Sequence, residues 1–345
     1  MMVRILKLTA VSTLAILAAQ TAVARDLVIA GWGGVYQDVQ REAYFQPFAD
    51  EKGIKFTETT YLGGLAEVKA MADTGDTTWD LVIVEGSDLV VGCDEGLFET
   101  LDWATIAHQD RLIPAAHQDC GVGNVVIPVG LGYNSEATPK APESLSEFFN
   151  LADYPGKRGM RSGPKFNLEF ALLGDGVAPE EVYAVLATPE GLDRAFAKLD
   201  TIKPELQFWD SGSQPVEWLA AGNVTMSMTY NGRISAAQEE GKPLGFLWDK
   251  TVYSIDSWAV PAGSPNKALA MEFLSYVNDP ARQAAFSNKM AYGPTSLDAP
   301  AQLAEGRIDI LPAGPNMDGA LYQSDEFWID HNDAITERWN NWVTR

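Results

Sequence analysis

Tyr230, Arg233, Asp256 and Trp258 fall within one stretch, Val224 to Pro261, and are residue types that together can grip a small charged molecule. Arg233 supplies a planar cation whose fork matches a carboxylate. Tyr230 and Trp258 can turn ring faces toward an ammonium group, each such contact adding about 0.5–2 kcal/mol. Asp256 sits between Ile255 and Trp258 at the end of a strand-like run. A charge among such neighbours needs a partner. Two partners fit: Arg233 or another base within the protein, or the ammonium of a ligand.

Other segments offer compatible chemistry. Gly31-Trp32-Gly33-Gly34 follows an apolar run and precedes a helical one. Its glycines either permit a tight turn or let backbone N–H groups approach a ligand at a helix start. Trp32 in such a turn either packs downward or presents its face to a ligand. Glu85 and Ser87 follow the run Trp79 to Val84, and Glu169 is a weaker candidate of the same kind. Lys157, Arg158, Arg161 and Lys165 lie at Pro/Gly-rich turns and read mostly as a solvated edge, from which Arg161 can reach a ligand carboxylate. Tyr292 stands just before Gly293-Pro294.

Several chemistries find no footing. The glycines do not form a dinucleotide or Walker fingerprint. His108, His117 and His331 form no zinc motif, and Gly159 to Gly163 lacks the spacing of a nucleophile elbow. No catalytic residue, metal site or cofactor is therefore expected, and a secreted hydrolase is a distant alternative. The formal charge of −22 argues against nucleic acid, whose phosphates demand Lys and Arg.

The elements that must position these residues follow from the apolar patterning. Asp26 to Gly31, Ile54 to Glu58 and Trp79 to Val84 read as strands, separated by helical segments carrying Val35, Val39 and Ala43, then Leu65, Val68 and Met71. Strand and helix alternating in this way predict a parallel α/β sheet. Trp32 and Glu85 then both lie past carboxyl ends of strands, the edge where such sheets bind ligands. An extended run through Asn124 to Asn134 leads into Pro-rich sequence, and Gly263-Ser264-Pro265 follows another. These mark two crossings between domains: residues 25–130 plus 262–345 form a discontinuous first domain, and 131–261 a second. That topology suits hinge closure on a ligand.

Residues 1–24 read as an export signal, with Arg4 and Lys7, an apolar run from Leu8 to Ala19, and Ala22-Val23-Ala24 for cleavage. The run is short of the roughly 20 residues of a spanning anchor. The mature chain of about 320 residues exceeds one typical core. Cys93 and Cys120, an isolated pair in an exported chain, point to a disulfide rather than a catalytic or metal site.

Taken together, Gly-Trp-Gly-Gly-Val-Tyr, Trp-Asp-Leu-Val-Ile-Val, Gly-Pro-Lys-Phe-Asn-Leu-Glu-Phe-Ala-Leu, Tyr-Asn-Gly-Arg, Trp-Ala-Val-Pro-Ala-Gly-Ser-Pro-Asn-Lys and Tyr-Gly-Pro-Thr resemble one family in order and spacing. It is the spermidine/putrescine-type periplasmic solute-binding proteins of ABC importers. The resemblance implies a two-lobed, type II-like periplasmic binding fold, a ligand held between lobes, and delivery by a monomer to an inner-membrane permease. It also implies ligand contacts at Trp32, at Glu85 and Ser87, at Tyr230, at Asp256 and at Tyr292; Gly33 is a candidate only through its backbone N–H in the glycine-rich turn. The chain departs from the polyamine pattern where Met-Arg-Ser-Gly-Pro-Lys, residues 160–165, replaces expected acidic residues with basic ones. A small amine such as putrescine or spermidine is the first expectation. A zwitterionic ω-amino acid such as 4-aminobutyrate is the alternative, because it suits Arg233 plus Asp256 better than a diamine. If Arg233 instead pairs with Asp256 or Glu85, a polyamine is favoured.

Overall fold

In a computed structural model describing residues 26–344, eleven strands join in one mixed sheet with helices against its faces. The expected export signal lies outside the described residues. Strands β1 (Leu27–Gly31), β2 (Phe56–Thr60) and β3 (Leu81–Val84) form a parallel set in the order β2-β1-β3. β3 reads Leu-Val-Ile-Val and is buried at every position, as a strand covered on both faces requires. After a two-residue strand β4 (His117–Gln118) comes the long β5 (Gly121–Asn134). β6 (Arg158–Arg161), β7 (Leu206–Trp209) and β8 (Met226–Tyr230) form a second parallel set, ordered β8-β6-β7.

The long β9 (Leu244–Ala259) runs antiparallel to β5 and joins the two sets. Its carboxyl half pairs with β3, and β5 pairs with β8 at its own carboxyl half. This two-stranded ribbon carries two of the chain's passages between the halves of the molecule, and a third leads to the last helix. Two-residue strands β10 (Gly293–Pro294) and β11 (Leu321–Tyr322) pair with β5 and β9. Leu244–Trp248 and Tyr253–Ala259 belong to the one strand β9, with Lys250 at φ 52° where the register with β5 shifts.

Two main cores lie on this frame. One gathers Leu27, Ile29, Ile83, Phe273 and Trp258. The other gathers Met160, Phe170, Leu199, Met226 and Met228. The helices Lys267–Val277 and Pro280–Lys289 contribute to the first. The last helix, Asp325–Val343, does not follow them: Phe327, Trp328, Ile335, Trp339 and Trp342 pack into the second core. Residues 262–345 therefore do not all join the first core, as the sequence reading had them. The rings of Trp339 and Trp342 find Phe208 at 5.6 Å and Phe196 at 5.7 Å, a surface built by residues far earlier in the chain.

That helix also accounts for Glu169, which lies wholly buried on the helix Asn167–Gly174. It accepts hydrogen bonds from Trp328 Nε1 at 2.7 Å and Tyr183 Oη at 3.2 Å, so it is a packing contact rather than a ligand contact. Burial pushes its carboxyl up to about 7 despite these donors. A folded-state value above the unfolded one makes the folded chain bind more protons between about pH 4.5 and 7, so its contribution is lost as pH rises through 7. Glu169→Gln is expected to remove roughly 3 kcal/mol of stability loss between pH 5 and 8. Chemical denaturation at both pH values checks this, and an unchanged pH slope would contradict it. Arg158, expected at a solvated edge, is fully buried and donates to the carbonyls of Phe148 and Gly156 at 2.8 and 2.7 Å.

Cys93 and Cys120 are bonded to each other beside the core of Val82, Val84 and Ala259. At a sequence separation of 27, the bond constrains the unfolded chain by about 3–4 kcal/mol on the loop-entropy argument. The double replacement Cys93→Ala/Cys120→Ala is expected to lower the melting temperature and leave ligand affinity unchanged, measured by thermal unfolding and calorimetry.

Candidate ligand-binding cleft

The carboxyl ends of β1, β3, β6, β7 and β8 face one cleft, and each delivers a side chain there within a few residues. Trp32 follows β1 and stacks on Tyr61, ring centroids 4.9 Å apart. Glu85 follows β3, Arg161 ends β6, and Tyr230 ends β8. The helix Asn231–Glu239 starts immediately after Tyr230, which places Arg233 in its first turn. Asp256 comes from β9, and Tyr292 from the turn before β10. Seven sequence-selected residues thus line a single cavity of ≈ 60 Å³: Trp32, Glu85, Arg161, Tyr230, Arg233, Asp256 and Tyr292.

Its charges are arranged in two ways. Trp32 Nε1 donates to Asp256 Oδ2 at 2.6 Å, fixing the carboxylate in the wall. Burial, reinforced by the nearby Glu85 charge, pushes the Asp256 carboxyl up to about 7. Glu85 itself forms an ion pair with Arg161 at 2.6 Å. Burial works to raise Glu85, but Arg161 and Lys165 overcome it and hold the carboxyl below its ordinary range. Arg161 also lies over the ring of Phe166 at 5.6 Å, and its Nη1 is buried without a hydrogen-bond partner. Phe166 holds a left-handed φ of 68°, strained for a bulky residue, which turns its ring into the cavity.

Arg233 is different. It is only 5 % exposed, and Nη2 donates to the Gly33 carbonyl at 3.3 Å. Among the described residues no carboxylate lies within ion-pair distance of it. It pairs with neither Asp256 nor Glu85. The cavity therefore has in its lining a carboxylate, a cation with no ion-pair partner among the described residues, and several aromatic rings.

Three expected contacts are corrected. Trp258 lies on the same face of β9 as Asp256, as residues two apart must. It is nevertheless fully buried, packed on Phe45 and Phe273. About 7 Å farther along the strand, that face has passed from the cleft wall into the core. Ser87 is directed away from the cavity and accepts from Lys165 Nζ at 2.6 Å. The Gly33 N–H is taken by Gln37 Oε1 at 3.1 Å, so this residue offers its carbonyl to Arg233 rather than its amide to a ligand.

Sequence reasoning missed Tyr36, Tyr61, Ser254 and the loop Asp210-Ser211-Gly212, all of which line the cavity. Ser254 could have been found as the residue two before Asp256 on one strand face. Asp210 to Gly212 follow β7, on the same carboxyl edge that exposed Trp32 and Glu85. Tyr36 reaches the site from a helix, held by Asn124 Nδ2 at 2.9 Å, and carries no local signal.

Residues 43–310 match the bacterial extracellular solute-binding protein family. The chain belongs to that family. A γ-aminobutyric acid-binding protein of Pseudomonas aeruginosa is 44 % identical over 333 residues, covering 96 % of this chain and 95 % of its own. The solved structure of the Atu4243–GABA receptor aligns at 31 % identity with a TM-score of 0.81, covering 92 % of this chain and 98 % of the receptor. The spermidine/putrescine-binding periplasmic protein of Escherichia coli is 22 % identical over 245 residues, 68 % of either chain. The resemblance thus holds at the level of solute-binding proteins, and the polyamine binders it named are only distant relatives.

Proposed function

We propose that this solute-binding protein captures a short ω-amino acid, of the 4-aminobutyrate type, in the periplasm and delivers it to the inner-membrane permease of an ABC importer. The observation that carries this reading is Arg233, a buried cation lacking a carboxylate partner among the described residues, in the same cavity as Asp256. A ligand ammonium on Asp256 and a ligand carboxylate on Arg233 complete both groups at once. A diamine would leave Arg233 uncompensated and press a second positive charge against it. Of the other carboxylates lining the cavity, Glu85 is already engaged by Arg161 and Asp210 is exposed to solvent.

The lining suits a short aliphatic chain. Trp32, Tyr61 and Tyr230 provide apolar faces for its methylenes. Binding here favours the closed arrangement, because Asp256 comes from the β5–β9 ribbon while Arg233 lies beyond it. Isothermal titration with 4-aminobutyrate, putrescine, spermidine and α-amino acids tests the reading. Tight 4-aminobutyrate binding is expected; tight polyamine binding without it would reverse the assignment.

A further inference from the structure

Arg233 carries a charge inside the protein without a carboxylate beside it, so something else must hold the guanidinium in place. Two glycines from separate segments enclose it. A Cβ added at Gly34, in the turn after β1, would stand 2.8 Å from Nη1. A Cβ added at Gly212, in the loop after β7, would stand 3.0 Å from Nε and 3.1 Å from the Tyr230 ring. Nη2 donates to the Gly33 carbonyl at 3.3 Å, and the Tyr292 hydroxyl is a further polar neighbour.

The two glycines are required for different reasons. Gly34 has φ 61°, a conformation that itself favours glycine. Gly212 is not among the residues of positive φ, so its backbone admits any side chain. What a glycine supplies at 212 is room for Arg233 and Tyr230. The loop has little freedom to withdraw, because Gln214 Oε1 accepts from the backbone N–H of Asp210 at 2.8 Å and of Ser211 at 2.9 Å. A methyl at 212 must therefore displace the guanidinium by a few tenths of an ångström.

We propose that Gly212 is a specificity-determining positioning residue, whose missing side chain sets the Arg233 guanidinium where it reads a ligand carboxylate. This rests on the carboxylate-reading role given to Arg233 above. Charge-assisted hydrogen bonds depend steeply on distance and angle, so a small displacement weakens recognition of the carboxylate while sparing the ammonium end.

The test compares 4-aminobutyrate with 4-aminobutanamide, which keeps the ammonium and chain and lacks the charge read by Arg233. In the unaltered protein the acid binds more tightly; equal binding would remove the 4-aminobutyrate reading itself, independently of Gly212. In Gly212→Ala the acid-to-amide affinity ratio is expected to fall by about tenfold or more, with melting temperature unchanged. A ratio that stays constant, whether both ligands weaken together or neither does, overturns the proposal, as does a variant that fails to fold. In an Arg233→Ala background, which removes Nε and leaves the Tyr230 ring as the remaining close neighbour, Gly212→Ala should not lower the acid-to-amide ratio any further; an additional fall would also overturn the proposal.

Discussion

Arg233→Met should weaken 4-aminobutyrate binding by about 2–5 kcal/mol, roughly thirty- to several-thousand-fold in Kd, the cost of truncating one partner of a desolvated charge pair. The ligand carboxylate would be left in a site whose nearest remaining cation, Arg161, is committed to Glu85. The same substitution should raise the stability of the ligand-free protein, because it removes a buried charge that has no carboxylate beside it. Those opposite signs separate ligand recognition from a packing role, since a packing residue loses both. Arg233→Lys keeps the charge and loses the fork, so an intermediate loss is expected. Titration calorimetry with thermal unfolding of the ligand-free protein reads both effects. Undiminished affinity in Arg233→Met would remove this residue from the site.

Asp256→Asn should cost a comparable 2–5 kcal/mol, roughly, for the ammonium end. Its sharper signature is in pH. Burial and the Glu85 charge push the Asp256 carboxyl up to about 7, against the opposing pull of the Trp32 N–H. An ammonium docks on the ionised form, so binding must release the proton that Asp256 retains below 7. Affinity should therefore rise between pH 5.5 and 7, at most about tenfold per pH unit, and level off above. In the ligand-free protein the sign for stability is reversed. The folded chain holds this proton between about pH 4 and 7 and the unfolded chain does not, so stability falls as pH rises through that window. Glu169 adds to the stability slope and not to the affinity slope, because it lies outside the cavity. Calorimetry from pH 5.5 to 8 distinguishes them, and flat wild-type affinity across that range would contradict an ionisation at Asp256.

Much of the cleft was legible because a strand end is a local event. Apolar runs ending at Gly31, Val84 and Tyr230 told where the carboxyl edge of the sheet would be, and with it Trp32, Glu85 and the first turn holding Arg233. The disulfide was legible from cysteine number alone. Alternation puts Asp256 and Trp258 on one face of a strand. It could not say how deep that face lies at each position, since depth is set by Phe45 and Phe273 packing over it.

The sequence by itself determined the alternating α/β order, the family, and the residue types that gather in the cleft. Only the tertiary structure decided which charges satisfy one another. Arg161, partly buried, and Arg233, buried, line the same cavity, yet Arg161 has Glu85 at 2.6 Å and Arg233 has a backbone carbonyl at 3.3 Å. The same holds for the last helix, whose apolar stripe is plain in sequence and whose choice of core is not. Pattern is a property of neighbours along the chain. Pairing depends on distances of a few ångströms between residues 76 to 200 positions apart, fixed by how the β5–β9 ribbon holds the two parallel sets.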